Sequence, residues 1–166
     1  FIESGEIELP AYVAAPQCPA DVSWWEIVDR LESMLDRLLR EHPIDPQRVY
    51  LTGFSLGGFG TWAWAYAHPD RFAALMPVAG SALFPNLFTI RELERLKDKP
   101  LWMIHSAVDD VVLVSGADEV AAGLASLGSN FGYTRYPDAD HGDTANRAFS
   151  DQALYRWLLA QKRGTS

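Results

Sequence analysis

A short β-branched and apolar run, Val49-Tyr50-Leu51-Thr52, leads straight into Gly53-Phe54-Ser55-Leu56-Gly57-Gly58 and on to a helix-forming segment, Phe59 to Ala67. Few backbones accommodate that order. A serine with glycine two positions before and two after it, at a strand-to-helix junction, predicts a turn sharp enough to strain Ser55. Gly53 and Gly57 are expected to let the strand and the helix pack closely. The hydroxyl then stands at a helix N-terminus, where free N–H groups and the helix dipole stabilise a developing negative charge. The same pentapeptide also arises by chance, and a glycine-rich turn also serves plain packing. Chemistry at Ser55 therefore requires partners elsewhere in the chain.

The rest of the chain alternates strands with helices. Ala11 to Ala15 is an apolar run closed by Pro16 and reads as a short buried strand. Ser23 with Glu26 three residues on resembles a capping box. Ile27, Val28, Leu31, Leu35, Leu38 and Leu39 keep helical spacing up to His42-Pro43. Strand 49–52 and a helix from about 56 to 68 follow, the helix stopped by Pro69. Ala73 to Ala79 reads as another buried strand, 90–97 as a short helix, and Leu101 to His105 as a strand. Ser115 is expected to cap a helix reaching Leu127. Phe131 to Tyr136 is the last strand and 146–161 the last helix. This alternation predicts one domain, 1–166: an α/β fold in which helices cover both faces of a mostly parallel sheet, a three-layer α/β/α sandwich.

In such sheets ligands bind beyond the carboxyl ends of the strands. Ser55, the pair Asp109-Asp110 and His141 all fall there. A serine hydroxyl needs a base to take its proton, and the base needs a carboxylate to orient it. Four histidines compete for the first role. His42 and His68 each precede a proline at a helix end, where a cation suits the dipole, and His105 closes a strand as a structural histidine bonded to backbone. His141 lies in the polar loop Asp138 to Asp143 and is the base expected here. For the acid, Asp109 is preferred; the alternative has Asp110 orienting the base while Asp109 caps the loop. Leu56 N–H supplies one oxyanion donor. The second normally comes from a loop after an earlier strand, and no His-Gly strand end precedes Ser55.

Charge and cysteine content exclude several other chemistries. A net charge of −8 argues against nucleic acid or an anionic membrane as partner. No apolar run approaches the roughly 18–20 residues that span a bilayer, and no basic-then-apolar leader opens the chain. The single cysteine, Cys18, precludes an internal disulfide or a cysteine metal cluster and reads as a small core residue. No metal and no cofactor is implied.

Ala15 to Pro19, Trp24-Trp25, Asp45 to Trp62 and His68 to Ala74 together resemble bacterial α/β-hydrolases of the prolyl-oligopeptidase-like and phospholipase/carboxylesterase group, including feruloyl-esterase-like and predicted-peptidase members. The resemblance runs from about Ala11 to Leu159. It implies that Asp109 in the loop His105 to Val114 is the acid and His141 in Tyr136 to His141 the base. Ser106 stands where the family usually has Gly, and Leu113 where it usually has Pro. The family's earlier strands and oxyanion loop have no counterpart here, so a truncated α/β-hydrolase fold is expected. Either strand 11–15 pairs with 49–52 in a sheet of about five strands, or residues 1–10 or a second subunit, giving a homodimer, cover the open edge. The activity implied is that of a serine carboxylesterase acting on small acyl esters. Trp24, Trp25 and Phe84 to Phe88 are candidates for the acyl pocket. Peptidase activity and a non-catalytic remnant are the rival readings.

Overall fold

The computed structural model describes residues 9–83 and 90–164. Four strands, β1 (Tyr50–Phe54), β2 (Ala74–Val78), β3 (Trp102–Ser106) and β4 (Gly132–Tyr136), form one sheet in the order β1-β2-β3-β4. Every pairing is parallel. The six helices described are α1 (Val28–Glu41), α2 (Leu56–Ala67), α3 (Ile90–Leu93), α4 (Val114–Ser126), α5 (His141–Ser150) and α6 (Gln152–Ala160).

Successive strand residues face opposite ways, and here both faces are covered. Leu75, Leu101 and Met103 point into a core with Val28, Leu31 and Leu35 of α1, Trp62 and Tyr66 of α2, and Val120 and Leu124 of α4. Ala74, Met76, Val78 and Ile104 point the other way, onto Ala148 of α5 and Leu154 and Leu158 of α6. This is the three-layer sandwich that the alternation predicts. Helix α2 is buried on nearly every side from Gly60 to Tyr66, which explains why its sequence is apolar all round rather than striped.

Pro77 sits mid-strand in β2. The N–H groups of Leu75 and Ala79 donate towards the β3 side, to Pro100 O at 2.9 Å and Ile104 O at 2.8 Å. Midway between them Pro77 has no donor to give. The β2–β3 ladder is correspondingly thin, with Val78↔Ile104 and an isolated bridge Leu75↔Leu101, whereas β1–β2 and β3–β4 each pair over five residues.

Four local expectations are corrected. The run 11–15 is not a strand and does not pair with β1; Tyr12 and Val13 are exposed, and the Tyr12 ring packs on His42 at 5.3 Å beyond the end of α1. Pro10 and Pro16 bracket the run and remove donors a ladder would need. The sheet therefore has four described strands, and residues 1–8, the other expected cover for β1, lie outside the described part. Ser115 is not a cap, since α4 begins at Val114 with Leu113 before it. The last helix is two helices: Asp151 is extended at φ −82°, ψ 102°, and its carboxylate accepts from Ala153 N at 2.7 Å, starting α6 afresh. Cys18 is half-buried rather than a core residue, its Sγ 3.3 Å from Val22 O.

The capping box at Ser23 is present, Glu26 accepting from Ser23 N at 2.7 Å, although it opens a 3₁₀ turn, Trp24–Glu26, ahead of α1. His42 and His68 sit at the C-terminal caps of α1 and α2. No helix among the described residues is long and apolar enough to cross a membrane.

Candidate active site

The turn between β1 and α2 is held by backbone contact. Ser55 has φ 52° and ψ −117°, a region costly for any residue with a Cβ. Ser55 N donates to Val78 O at 2.9 Å, and Phe59 N donates to Ser55 O at 3.0 Å. A Cβ on Gly53 would lie 2.2 Å from Gly57 O, and one on Gly58 would lie 2.7 Å from Val78 O. A Cβ on Gly57, by contrast, meets nothing within 4 Å. Glycine is therefore demanded at 53 and 58, and position 57 contributes its backbone, which corrects the expectation for Gly57.

These contacts predict a sharp contrast between two substitutions. Gly53→Ala must push apart backbone that has nowhere to go. It is expected to lower the thermal midpoint by roughly 5–10 °C. Gly57→Ala, in open space on a helix, should leave the midpoint unchanged or raise it by about 1–3 °C. Thermal unfolding followed by circular dichroism distinguishes the two.

The first N–H groups of the helix starting at Leu56, next to Ser55 in sequence, have no intrahelical acceptor. Leu56 N–H is the first of them. The Leu56 side chain itself is exposed.

His141 is the first residue of α5. Asp140 caps that helix, its carboxylate accepting from Asp143 N at 2.7 Å and its carbonyl from Thr144 N and Thr144 Oγ1 at 2.9 and 2.8 Å. The Asp140 carboxylate is thus engaged with its own helix. The His141 ring lies 4.6 Å from that of Phe54, next to Ser55 in sequence.

Three side chains from three strand ends now meet. His141 Nε2 is 2.9 Å from Ser55 Oγ, and His141 Nδ1 is 2.7 Å from Asp109 Oδ2. The Asp109 side chain is fully buried. Its Oδ1 accepts from Val111 N and Val112 N at 3.0 and 2.9 Å, so Asp109 both caps its loop and faces His141. Burial alone would raise its pKa. The hydrogen bonds from His141, Val112 and Val111, with the charge of His141, outweigh burial and hold the carboxyl below its ordinary range. Asp110 is exposed.

Two further residues shape this site: His105, the structural histidine bonded to backbone that the sequence predicts, and Ser106, to which the sequence assigns no part. His105, fully buried, places Nε2 2.8 Å from Val112 O and 3.6 Å from Asp109 Oδ2. A carbonyl only accepts, so Nε2 carries the proton. Ser106, also fully buried, donates to Ala139 O at 2.5 Å. Nothing in their residue types reveals those contacts; they depend on loops that close over β3 and β4.

Both candidate tryptophans pack against α2. Trp24 is seated on Gly60, where a Cβ would come within 2.7 Å of the indole. Trp25 lines a shallow cavity of about 290 Å³ with Asp29, Ala63, Tyr66 and Glu92, none of them in the Ser55 cluster. Phe84 to Phe88 lie outside the described residues. Among the described residues no group of three or more His, Cys, Asp or Glu side chains is spaced to hold a metal ion.

A serine at a strained strand-to-helix turn, followed in the chain by a carboxylate and an imidazole that converge on it from later parallel strands, defines an α/β hydrolase. The family model described as alpha/beta hydrolase fold matches residues 16–132, and the chain belongs to that family. It is 27% identical over 150 residues to a bifunctional acetylxylan esterase/xylanase of Neocallimastix patriciarum, covering 87% of this chain and 21% of that protein. It is 24% identical over 151 residues to a probable carboxylesterase of Oryza sativa subsp. japonica, covering 91% and 54%. Among solved structures, a thermostable esterase superposes with a TM-score of 0.80 at 30% identity, covering 90% of this chain and 44% of that one. The chain thus spans about half or less of the length of these relatives.

Proposed function

We propose that this domain is a serine carboxylesterase that cleaves short-chain acyl esters through an acyl-enzyme. Ser55 Oγ attacks the ester carbonyl while its proton passes to His141 Nε2. Asp109 holds His141 Nδ1–H and stabilises the imidazolium that forms. Leu56 N–H, at the positive end of α2, receives the oxyanion. His141 then protonates the departing alcohol, and a water activated by the same imidazole releases the acid. The unbroken chain of hydrogen bonds Ser55–His141–Asp109 carries this reading. The esterases among the relatives support the ester class. Exposed Leu56, Val108, Val111 and Leu113, on the segments that bear Ser55 and Asp109, offer apolar contact to an acyl or alcohol group. The proposal includes a homodimer through the outer edge of β1, unpaired among the described residues. A sedimentation coefficient of a monomer at micromolar concentration counts against that part alone.

A fluorophosphonate probe tests the catalytic reading. Stoichiometric labelling with the adduct mapped to Ser55 by mass spectrometry is expected; a folded protein that takes no label is a remnant and not an enzyme. On the same preparation nitrophenyl acetate and butyrate should turn over faster than a nitroanilide. Amide hydrolysis leans harder on leaving-group protonation and on a full oxyanion hole. The reverse order would assign the site to a peptidase.

A further inference from the structure

The acid of this site sits on the loop 107–113 after β3, and the base opens α5 directly after the loop 137–140 that follows β4. Catalysis by the proposed route requires the loops to keep one spacing, since the His141–Asp109 contact spans them. One side chain touches both. Ser106 is the last residue of β3, opposite Tyr136 in the ladder, and is wholly enclosed. Its hydroxyl donates to Ala139 O at 2.5 Å, and Ala139 is itself buried two residues before His141. Its Oγ accepts from Val108 N at 3.3 Å, one residue before Asp109. Tyr136 O lies farther, at 3.3 Å, and already receives Ala107 N at 2.8 Å. A hydroxyl has one proton and two lone pairs, so donating to one loop and accepting from the other uses the proton and one pair.

We propose that Ser106 is a positioning residue that ties the Asp109 loop to the His141 loop and thereby sets the imidazole–carboxylate contact, an inference that rests on the esterase reading for its kinetic consequence only. Without a hydroxyl at this place, the described bonds left between the two segments are His141 to Asp109 and, at the roots of the loops, Ala107 N to Tyr136 O. Misplacement of a reacting group by about 1 Å costs on the order of 100-fold.

Ser106→Ala removes the hydroxyl with little change of volume, and Ser106→Thr keeps it. For nitrophenyl butyrate, Ser106→Ala is expected to lower kcat by about 10- to 100-fold with KM within about twofold, and Ser106→Thr to recover most of the rate. The proton on His141 Nδ1 gives a downfield NMR resonance that needs no turnover. In Ser106→Ala it should broaden or move, and in Ser106→Thr it should stay. A wild-type protein that fails to hydrolyse esters sinks the esterase reading, while this resonance still reports on the tie between loops. An unchanged resonance and unchanged kcat in Ser106→Ala, even with a lower melting temperature, overturns the proposal. Equal impairment of both variants overturns it too.

Discussion

Ser55→Ala is expected to lower kcat on nitrophenyl butyrate by about 10⁴-fold or more while the protein melts within a few degrees of the wild type. The asymmetry follows from where Ser55 sits. Its strained dihedrals are imposed by Ser55 N on Val78 O, Phe59 N on Ser55 O and the Gly53–Gly57 contact, all of them backbone features that alanine inherits. The side chain itself is half-exposed and its hydroxyl makes one hydrogen bond, to His141, worth about 1 kcal/mol. All of the expected effect is therefore chemical. Without the hydroxyl no acyl-enzyme forms, the burst phase disappears, and the fluorophosphonate adduct is lost. Equal initial rates for wild type and variant, measured on preparations freed of contaminating esterase, would remove Ser55 from the mechanism.

Asp109→Asn should cost about as much in kcat, on the order of 10⁴-fold, and the structure dictates why. Oδ1 of Asp109 accepts two backbone N–H groups, from Val111 and Val112. An asparagine keeps those bonds only with its carbonyl oxygen in that position, which turns its NH₂ towards His141 Nδ1. The imidazole must then accept at Nδ1 and carry its proton on Nε2, facing Ser55 with a hydrogen where a lone pair is needed. The opposite rotamer presents NH₂ to two N–H donors and loses both bonds. Asp110→Asn, at an exposed carboxylate, should leave kcat unchanged. The same variant pair reads out in stability. Because the folded Asp109 carboxyl titrates below its ordinary value of 3.8, its contribution is fully present above about pH 4. That contribution is lost as pH falls through the lower folded value. Acid unfolding of Asp109→Asn should be flatter across that window than that of the wild type, with Asp110→Asn following the wild type.

The elements that positioned these groups were legible where periodicity was strong. β1, β2, β3 and β4 fall within two residues of their expected bounds, and α1 and α2 end at His42 and His68 as their prolines dictate. The order serine, carboxylate, histidine along the chain could be read because each residue follows a strand, and strand ends are where a parallel sheet gathers side chains. Long-range geometry was not legible. Ala11 to Ala15 has the composition of a strand, yet pairing needs a neighbour, and composition carries no information about one. The motif's spacing points to Gly57 for the packing role that Gly53 and Gly58 perform, because spacing does not tell which Cβ would collide. The backbone bond of His105 is legible in kind but its partner Val112 is not, and Ser106 reads as an ordinary strand residue; their contacts exist only once the two loops are folded.

Pro77 divides the site mechanically as well as the sheet. Ser55 follows the well-laddered strand β1 of the pair β1–β2, and Asp109 and His141 follow the equally well-laddered pair β3–β4. Between the two pairs runs a seam stitched by few hydrogen bonds. Any shear along that seam would fall on the contact between His141 and Ser55, which spans it, and not on the one between His141 and Asp109, which lies to one side. In the proposed reaction, the distance from His141 to Ser55 is the one across which the first proton moves.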